Sequence, residues 1–180
     1  MRHFLALSVL ALAGCAATEP LPPEPARIFV VARAQDGIVL VHPDAFTGVA
    51  PSLALGNSAP VPAGFASRNG IVLIPLGDDD AAAVVDLRTV SISLTIDLPA
   101  GSGATGAAFI DDSIAYVANP GLNSVTRVNY LTGDTASVAV GVRPLGMVYT
   151  RGRLFVLNSN TNASDVPLGP SWVTGIDPVT

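Results

Sequence analysis

The sequence predicts an all-β protein of the β-propeller class, built from four-stranded blades. Short apolar runs recur about every 40 residues, each is followed by a segment of alternating apolar and polar residues, and glycine or proline separates the segments. With 49% hydrophobic residues, 17 Gly and 15 Pro, the chain is too apolar for a disordered protein and too rich in turn residues for a helical bundle.

A leader segment occupies residues 1–14. Its basic start, Arg2 and His3, precedes an apolar run over 4–13. This run is about half as long as a membrane-spanning helix and is typical of a secretory signal peptide. The sequence therefore predicts an exported protein.

The leader runs into the sequence LAGC at 12–15, which resembles the lipobox of bacterial lipoproteins at all four positions. The resemblance implies cleavage between Gly14 and Cys15, and a lipid on Cys15 that anchors the protein to a membrane. Cys15 is the only cysteine, so the chain offers it no disulfide partner. The alternative is a general secretory signal followed by an incidental buried cysteine.

The residues around the anchor indicate where the protein is held. In Gram-negative lipoproteins, an Asp after the lipidated Cys is associated with retention in the inner membrane. Ala16 stands there, which favours the outer membrane, with the folded part facing the periplasm or the cell surface. Residues 15–26 contain four prolines and are predicted to be an extended tether.

The repeat begins at residue 27 and continues to residue 180. Its four apolar runs start at Phe29, Val72, Tyr116 and Phe155, at intervals of 43, 44 and 39 residues. Four short strands per unit at this period are the pattern of propeller blades. No segment has a sustained helical period, so we expect almost no helix after the leader.

The stretch 116–158, YVANPGLNSVTRVNYLTGDTASVAVGVRPLGMVYTRGRLFVLN, resembles the YVTN-type propeller repeat found in YncE-like propellers. Residues 116–119 match the motif that names the repeat, and Pro144 and Gly146 match the entry to the next blade. The resemblance covers about 27–180 and is weaker in the first two copies, where Pro75 replaces the Asn. It implies a propeller, usually with seven blades.

The strand order predicts an incomplete ring. With strands A to D counted from the axis outward, the chain has strands B-C-D, then A-B-C-D twice, then A-B-C. An open stack of blades leaves an apolar sheet face exposed at each end. We therefore expect about four blades in a C-terminally truncated fragment of a larger propeller; the alternative is a self-closing four-bladed ring.

The B–C loops and the D–A loops emerge on one side of a propeller, called here the upper face. Binding residues are commonly placed on loops that a rigid scaffold holds, so this face is predicted to bind a protein or a small ligand. The candidate ligand residues are its acidic and amide side chains: Asp36, Asp78, Asp79, Asp80, Asn119, Asn123, Asn158, Asn160, Asn162 and Asp165.

Three segments raise the question of a metal or cofactor. GDDDA at 77–81 and NSNTNASD at 158–165 offer oxygen ligands for Ca²⁺, but neither has the spaced Asp-x-Asp-x-Asp-Gly pattern, which favours ordinary turns. GSGATG at 101–106 matches a dinucleotide fingerprint, yet the strand at Tyr116 follows too closely for a helical crossover. The sequence therefore predicts no metal and no cofactor.

Catalysis and nucleic-acid binding are disfavoured. After the leader the chain has one histidine, His42, and it has no G-x-S-x-G elbow, so no catalytic residue is predicted. A net charge of −5 without any lysine argues against nucleic acid as a partner. We expect a non-catalytic scaffold; the alternative is a propeller enzyme with its site on the upper face, because some propellers resembling this one are lactonases or dehydrogenases.

Overall fold

The computed structural model describes the backbone of residues 28–32 and 37–41, and residues 53–55 and 64–178 in full. Its strands form antiparallel sheets in which neighbours in space are also neighbours in the chain. Within these residues there is no helix. The predicted all-β fold is confirmed.

Each sheet is one blade of an incomplete propeller. Blade 1 contains β1 (Ile28–Ala32), β2 (Gly37–Val41) and β3 (Leu53–Ala54). Blade 2 contains β4 (Ala66–Arg68), β5 (Ile71–Pro75), β6 (Ala81–Asp86) and β7 (Ser91–Asp97). Blade 3 contains β8 (Ala107–Phe109), β9 (Ile114–Asn119), β10 (Ser124–Asn129) and β11 (Thr135–Ala139). Blade 4 contains β12 (Pro144–Thr150), β13 (Arg153–Asn158) and β14 (Trp172–Ile176), which completes the predicted strand order.

The hydrophobic core lies between blades. Successive residues of a strand point to opposite faces of its sheet, so each blade shares one apolar layer with each neighbour. In β5, Val72 and Ile74 pack in one cluster with Leu55, which directly follows the last strand of blade 1. The side chain between them, Leu73, packs in another cluster with Val117 of blade 3. Each fully buried aliphatic side chain contributes about 1.5–3 kcal/mol, so the free energy of folding comes largely from blade-to-blade contact.

Glycines set the distance between the inner strands. A Cβ on Gly106 would lie 2.1 Å from the carbonyl oxygen of Leu145, and one on Gly64 would lie 3.0 Å from that of Thr105. Thr105 and Leu145 each directly precede the corresponding glycine of the next blade. Only a residue without a side chain allows the main chains to approach this closely, which explains the regular glycine spacing in the sequence.

We predict that Gly106→Ala lowers the free energy of unfolding by about 2–3 kcal/mol, because the new methyl group overlaps a main-chain carbonyl. Gly64→Ala is the matched control at the same position of the preceding blade, where the contact is longer and the loss smaller. Urea unfolding of both variants measures the difference. Equal losses, or a larger loss at Gly64, would contradict this account of the inner strands.

Candidate functional site

A pocket of about 450 Å³ lies on the upper face, where loops from blades 2, 3 and 4 meet. Two carboxylates and one guanidinium are its charged groups. The lining residues come from B–C and D–A loops: Asp78, Asp80, Gly101, Gly103, Thr105, Pro120, Gly121, Arg143 and Ala163.

Asp80 fastens the loop between blades 2 and 3. Its carboxylate accepts hydrogen bonds from the Gly101 N–H at 2.7 Å, the Ser102 hydroxyl at 2.8 Å and the Gly103 N–H at 3.3 Å. Partial burial raises the pKa of Asp80, but these hydrogen bonds outweigh it and hold the pKa below its usual value. The glycine-rich segment is thus an anion nest whose anion is a side chain of the protein.

Asn123 occupies the same position in blade 3, since it and Asp80 directly precede strand C of their blades. The Asn123 Oδ1 accepts a hydrogen bond from the Arg143 N–H at 2.9 Å, in the next D–A loop. The main-chain carbonyls of the two residues also accept equivalent hydrogen bonds: the Leu98 N–H donates to that of Asp80 at 2.8 Å, and the Val140 N–H to that of Asn123 at 3.0 Å. We call the hydrogen bonds from the following D–A loop to Asp80 or Asn123 the loop latch.

The loop latch requires an unusual backbone conformation. Asp80 and Asn123 have φ of 48° and 53°, in the left-handed region that Asp and Asn enter more readily than other residues with side chains. Residue type and backbone shape therefore agree at this position. Asp36 directly precedes β2, the corresponding position of blade 1, but lies outside the described residues.

Asn119 and Asn158 end strand B of blades 3 and 4, and both are fully buried. Each Nδ2 donates to a threonine hydroxyl of strand C, that of Thr126 at 2.7 Å and that of Thr174 at 2.8 Å. In blade 2 the positions that correspond to Asn119 and Thr126 hold Leu76 and Ala83, so blade 2 lacks this polar pair. The asparagine of the repeat motif therefore joins two strands of its own blade. The sequence alignment that placed Pro75 at the asparagine position is wrong by one residue, because Pro75 pairs with Ala82 as Ala118 pairs with Val125.

The two asparagines differ in their acceptor atoms. The Asn158 Oδ1 accepts a hydrogen bond from the Gly141 N–H at 2.9 Å, whereas the Asn119 Oδ1 is buried with no partner in the described part of the chain. Gly101 corresponds to Gly141, because each lies two residues before the N–H that bonds the loop-latch side chain, that of Gly103 in one loop and that of Arg143 in the other. The Gly101 N–H bonds the second oxygen of Asp80 instead, since a carboxylate has two acceptor atoms where an asparagine has one.

Arg143 supplies the positive charge of the pocket. Its side chain is 23% exposed, and its Nη2 donates to Asp165 at 2.8 Å. The Nε is buried and has no hydrogen-bond partner among the described residues. A φ of 49° marks a strained backbone, which often accompanies a functional position. The sequence analysis missed Arg143, although it is the only basic residue in the D–A loops that the structure describes.

The remaining predicted residues are distributed over the upper face. Asp78 is exposed and forms no hydrogen bond with another described residue, while Asp79 is partly buried. Asn160 donates to the carbonyl of residue 170 at 3.0 Å, and the Asn162 Oδ1 accepts from the N–H groups of residues 164 and 166. Most of these amides thus support loops; the binding role of the face stays a prediction.

Several predictions fall on parts of the chain that the structure does not describe. Gly14, Cys15 and His42 lie outside the described residues. In the part that is described, no three His, Cys, Asp or Glu side chains are placed to hold a metal ion. The same residues include no helix of the length and apolar character that crossing a membrane requires.

No protein-family model and no curated protein matches the chain. Solved structures do match. Hydrazine synthase of Kuenenia stuttgartiensis has a TM-score of 0.68 at 16% identity, over 85% of this chain and 43% of the other. Virginiamycin B lyase of Staphylococcus aureus has a TM-score of 0.63 at 16% identity, over 86% and 53%. A streptogramin B lyase has a TM-score of 0.67 at 15% identity, over 87% and 53%.

Likeness at such low identity defines the class of protein and nothing finer. The chain has the β-propeller fold, and it spans about half the length of the solved structures it matches. What those proteins act on is a property of their own sites, because one fold carries many functions.

We predict that Asp80→Asn lowers the free energy of unfolding by about 1–2 kcal/mol at neutral pH, since it removes the charged acceptor of the loop latch. The pKa of Asp80 is lower in the folded protein than in the unfolded chain. Its contribution is therefore present above the unfolded value of about 4 and is lost as the pH falls below it.

The matched control is Asp78→Asn, which changes an exposed carboxylate two residues away and shifts stability by less than about 0.5 kcal/mol. Urea unfolding of both variants at neutral pH and at a series of values below about pH 4 measures the two effects. The account fails if the variants behave alike, or if the deficit of Asp80→Asn does not shrink as the pH falls.

Proposed function

We propose that the protein is a lipid-anchored lipoprotein of the bacterial cell envelope whose β-propeller is a non-catalytic binding scaffold. The observation that carries the proposal is the apolar leader followed by LAGC, with Cys15 as the only cysteine of the chain. Acyl chains on Cys15 hold the protein at the outer membrane, since each buried methylene contributes about 0.8 kcal/mol. Residues 16–26 then separate the blades from the lipid surface.

Binding takes place in the upper-face pocket. Of its charged groups, Asp80 is engaged in the loop latch, which leaves the carboxylate of Asp78 and the outer N–H groups of the Arg143 guanidinium that do not donate to Asp165. A small ligand that carries both a cationic group and a hydrogen-bond acceptor complements this pair. A short peptide with free termini has this chemistry.

The pocket chemistry supports binding rather than catalysis. The hydroxyl of Thr105 donates to the Leu145 carbonyl at 3.3 Å, and the neighbouring Ser102 hydroxyl donates to Asp80. Neither hydroxyl has a histidine beside it among the described residues. The carboxylate that Ser102 contacts, Asp80, is a weak base because its pKa is lowered, and Ser102 itself is fully buried. A nucleophile needs an adjacent base to become reactive at neutral pH. Both hydroxyls therefore act as structural donors.

We predict that the full chain, expressed in a Gram-negative host, incorporates radiolabelled palmitate and partitions into the detergent phase. Cys15→Ser keeps the leader but removes the acylated sulfur, so label and partitioning are both lost. Mass spectrometry of the mature protein is the second measurement. A variant that still takes up label, or a wild-type product that retains Met1, would overturn the anchored assignment.

We predict that glycylglycine, a zwitterionic dipeptide, shifts the amide resonances of Gly101 and Gly121 at millimolar concentration. Arg143→Gln and Asp78→Asn each weaken this binding by about tenfold, which corresponds to one lost charged contact of about 1.4 kcal/mol. Asp112→Asn, in an A–B turn away from the pocket, is the control and leaves the affinity unchanged. Absent shifts, or equal affinity in all variants, would reject this ligand class.

A further inference from the structure

The side-chain oxygen of Asn119 is an unpaired acceptor in the interior. The residue is 0% exposed, and its Oδ1 has no hydrogen-bond partner among the described residues. Buried polar atoms without a partner are rare in folded proteins, so each calls for a physical explanation. The same oxygen of Asn158 is paired, with the Gly141 N–H at 2.9 Å. The difference therefore lies in the D–A loop that leads into each blade.

The two D–A loops hold the same position relative to their asparagines. In blade 3 the N–H of Gly121, two residues after the asparagine, donates to the Ser102 carbonyl at 3.1 Å. In blade 4 the N–H of Asn160, again two residues after the asparagine, donates to the Val142 carbonyl at 3.1 Å. Ser102 and Val142 each directly follow the glycine in question. The main chain thus places Gly101 beside its asparagine as it places the glycine of the next loop.

The orientation of one peptide unit distinguishes the two loops. Gly101 has a φ of 78° and its N–H donates to the Asp80 Oδ2 at 2.7 Å, whereas Gly141 has no positive φ. Glycine adopts either sign of φ at similar cost, so rotation of the peptide unit before Gly101 can redirect its N–H. A Cβ on Gly141 would lie 2.5 Å from the Asn158 Cγ. Both orientations therefore require glycine, one for its φ and the other for space.

We propose that the loop between blades 2 and 3 has a second state, in which the Gly101 N–H donates to the Asn119 Oδ1. The Oδ2 of Asp80 is then free to bind the cationic group of a ligand. We call the arrangement in the structure the nest state and the alternative the released state. The released state repeats the hydrogen bond that the next loop already makes, and it pairs the buried oxygen. One hydrogen bond is exchanged for another, which keeps the two states close in free energy.

The exchange changes what the upper-face pocket offers to a ligand. Asp78, Asp80 and Gly101 line the same pocket of about 450 Å³. An ammonium group meets the free carboxylate of Asp78 in the nest state, and an additional oxygen of Asp80 in the released state. A ligand shifts the equilibrium towards the state that it binds more tightly. This choice of ligand rests on the proposed function, whereas the existence of two states does not.

The released state leaves the rest of the loop latch in place. The Ser102 hydroxyl and the Gly103 N–H both bond the Oδ1 of Asp80, at 2.8 and 3.3 Å, and neither needs the Oδ2. Blades 2 and 3 therefore stay joined while one hydrogen bond moves into blade 3. Binding at the surface is in this way coupled to the pairing of a buried side chain.

NMR scalar couplings across hydrogen bonds identify the acceptor of the Gly101 N–H directly. In the wild type without ligand, the coupling is expected to the Asp80 Cγ. In Asp80→Asn the Oδ2 is replaced by an amide group that cannot accept, so the coupling is expected to the Asn119 Cγ. Asp78→Asn is the matched control and keeps the wild-type coupling. The pair formed by Gly141 and Asn158 is the reference in every spectrum.

A double-mutant cycle tests the same exchange by stability. Asn119→Leu introduces the residue that blade 2 has at this position. It is expected to lower the folding equilibrium constant about fivefold more in the Asp80→Asn background than in the wild type. Only in that background does the Asn119 Oδ1 have a donor to lose. Urea unfolding of the four proteins measures the difference.

Glycylglycine added to the wild type is expected to move the Gly101 coupling from Asp80 to Asn119. Acetate, which has no cationic group, is expected to leave it on Asp80. Failure of glycylglycine to bind would reject the ligand class, and with it the role of the ligand here, while the variants still decide whether the released state exists. An additive cycle, Asp80→Asn without a coupling to Asn119, or bound glycylglycine with Gly101 still on Asp80 would each overturn the proposal.

Discussion

The fit of one blade against the next is the constraint on which the rest of the structure depends. A single blade is a thin sheet with two apolar faces, and it has no core of its own. Val72 and Leu73, adjacent in one strand, already belong to two different apolar layers. Stability therefore accumulates along the stack, as in other repeat proteins, and every loop that sets the angle between blades contributes to it.

This constraint explains the polar composition of the upper face. Asp80 and Asn123 hold the D–A loops by which the chain passes to the next blade, and Asn119 and Asn158 join strands within a blade. These side chains already form hydrogen bonds within the protein itself. The acidic and amide-rich composition of the face thus has a structural origin, and the charged groups without a structural role lie around the pocket.

The strands and their order were predictable because their signals are local. Alternation of apolar and polar residues indicates a strand from a few neighbouring residues alone, and the recurring glycines indicate where each new blade begins. The role of individual polar residues was not predictable from the same patterns. Asp78 and Asp80 lie two positions apart in one loop, yet one is solvated and the other accepts three hydrogen bonds. The difference depends on a positive φ and on a loop about 20 residues further along the chain, which no local pattern reports.

Arg143 illustrates the same limit for the candidate site. As a sequence feature it is one arginine in a short loop, at a position for which the repeat specifies no residue type, directly before the motif residues Pro144 and Gly146. Its significance arises from three blades that bring Asp78, the glycine-rich segment and the long loop of blade 4 to one pocket. The repeat identifies the fold, and the convergence of loops defines the candidate site.

The central claim is that polar loop side chains lock blade 2 to blade 3 and blade 3 to blade 4. Hydrogen exchange of the main-chain amides, followed by NMR, tests it most directly. The account predicts that the amides of Gly103 and Arg143 exchange slowly, at rates close to those of neighbouring strand amides, although both lie in surface loops. Exchange of both amides at the rate of an unstructured loop would contradict it.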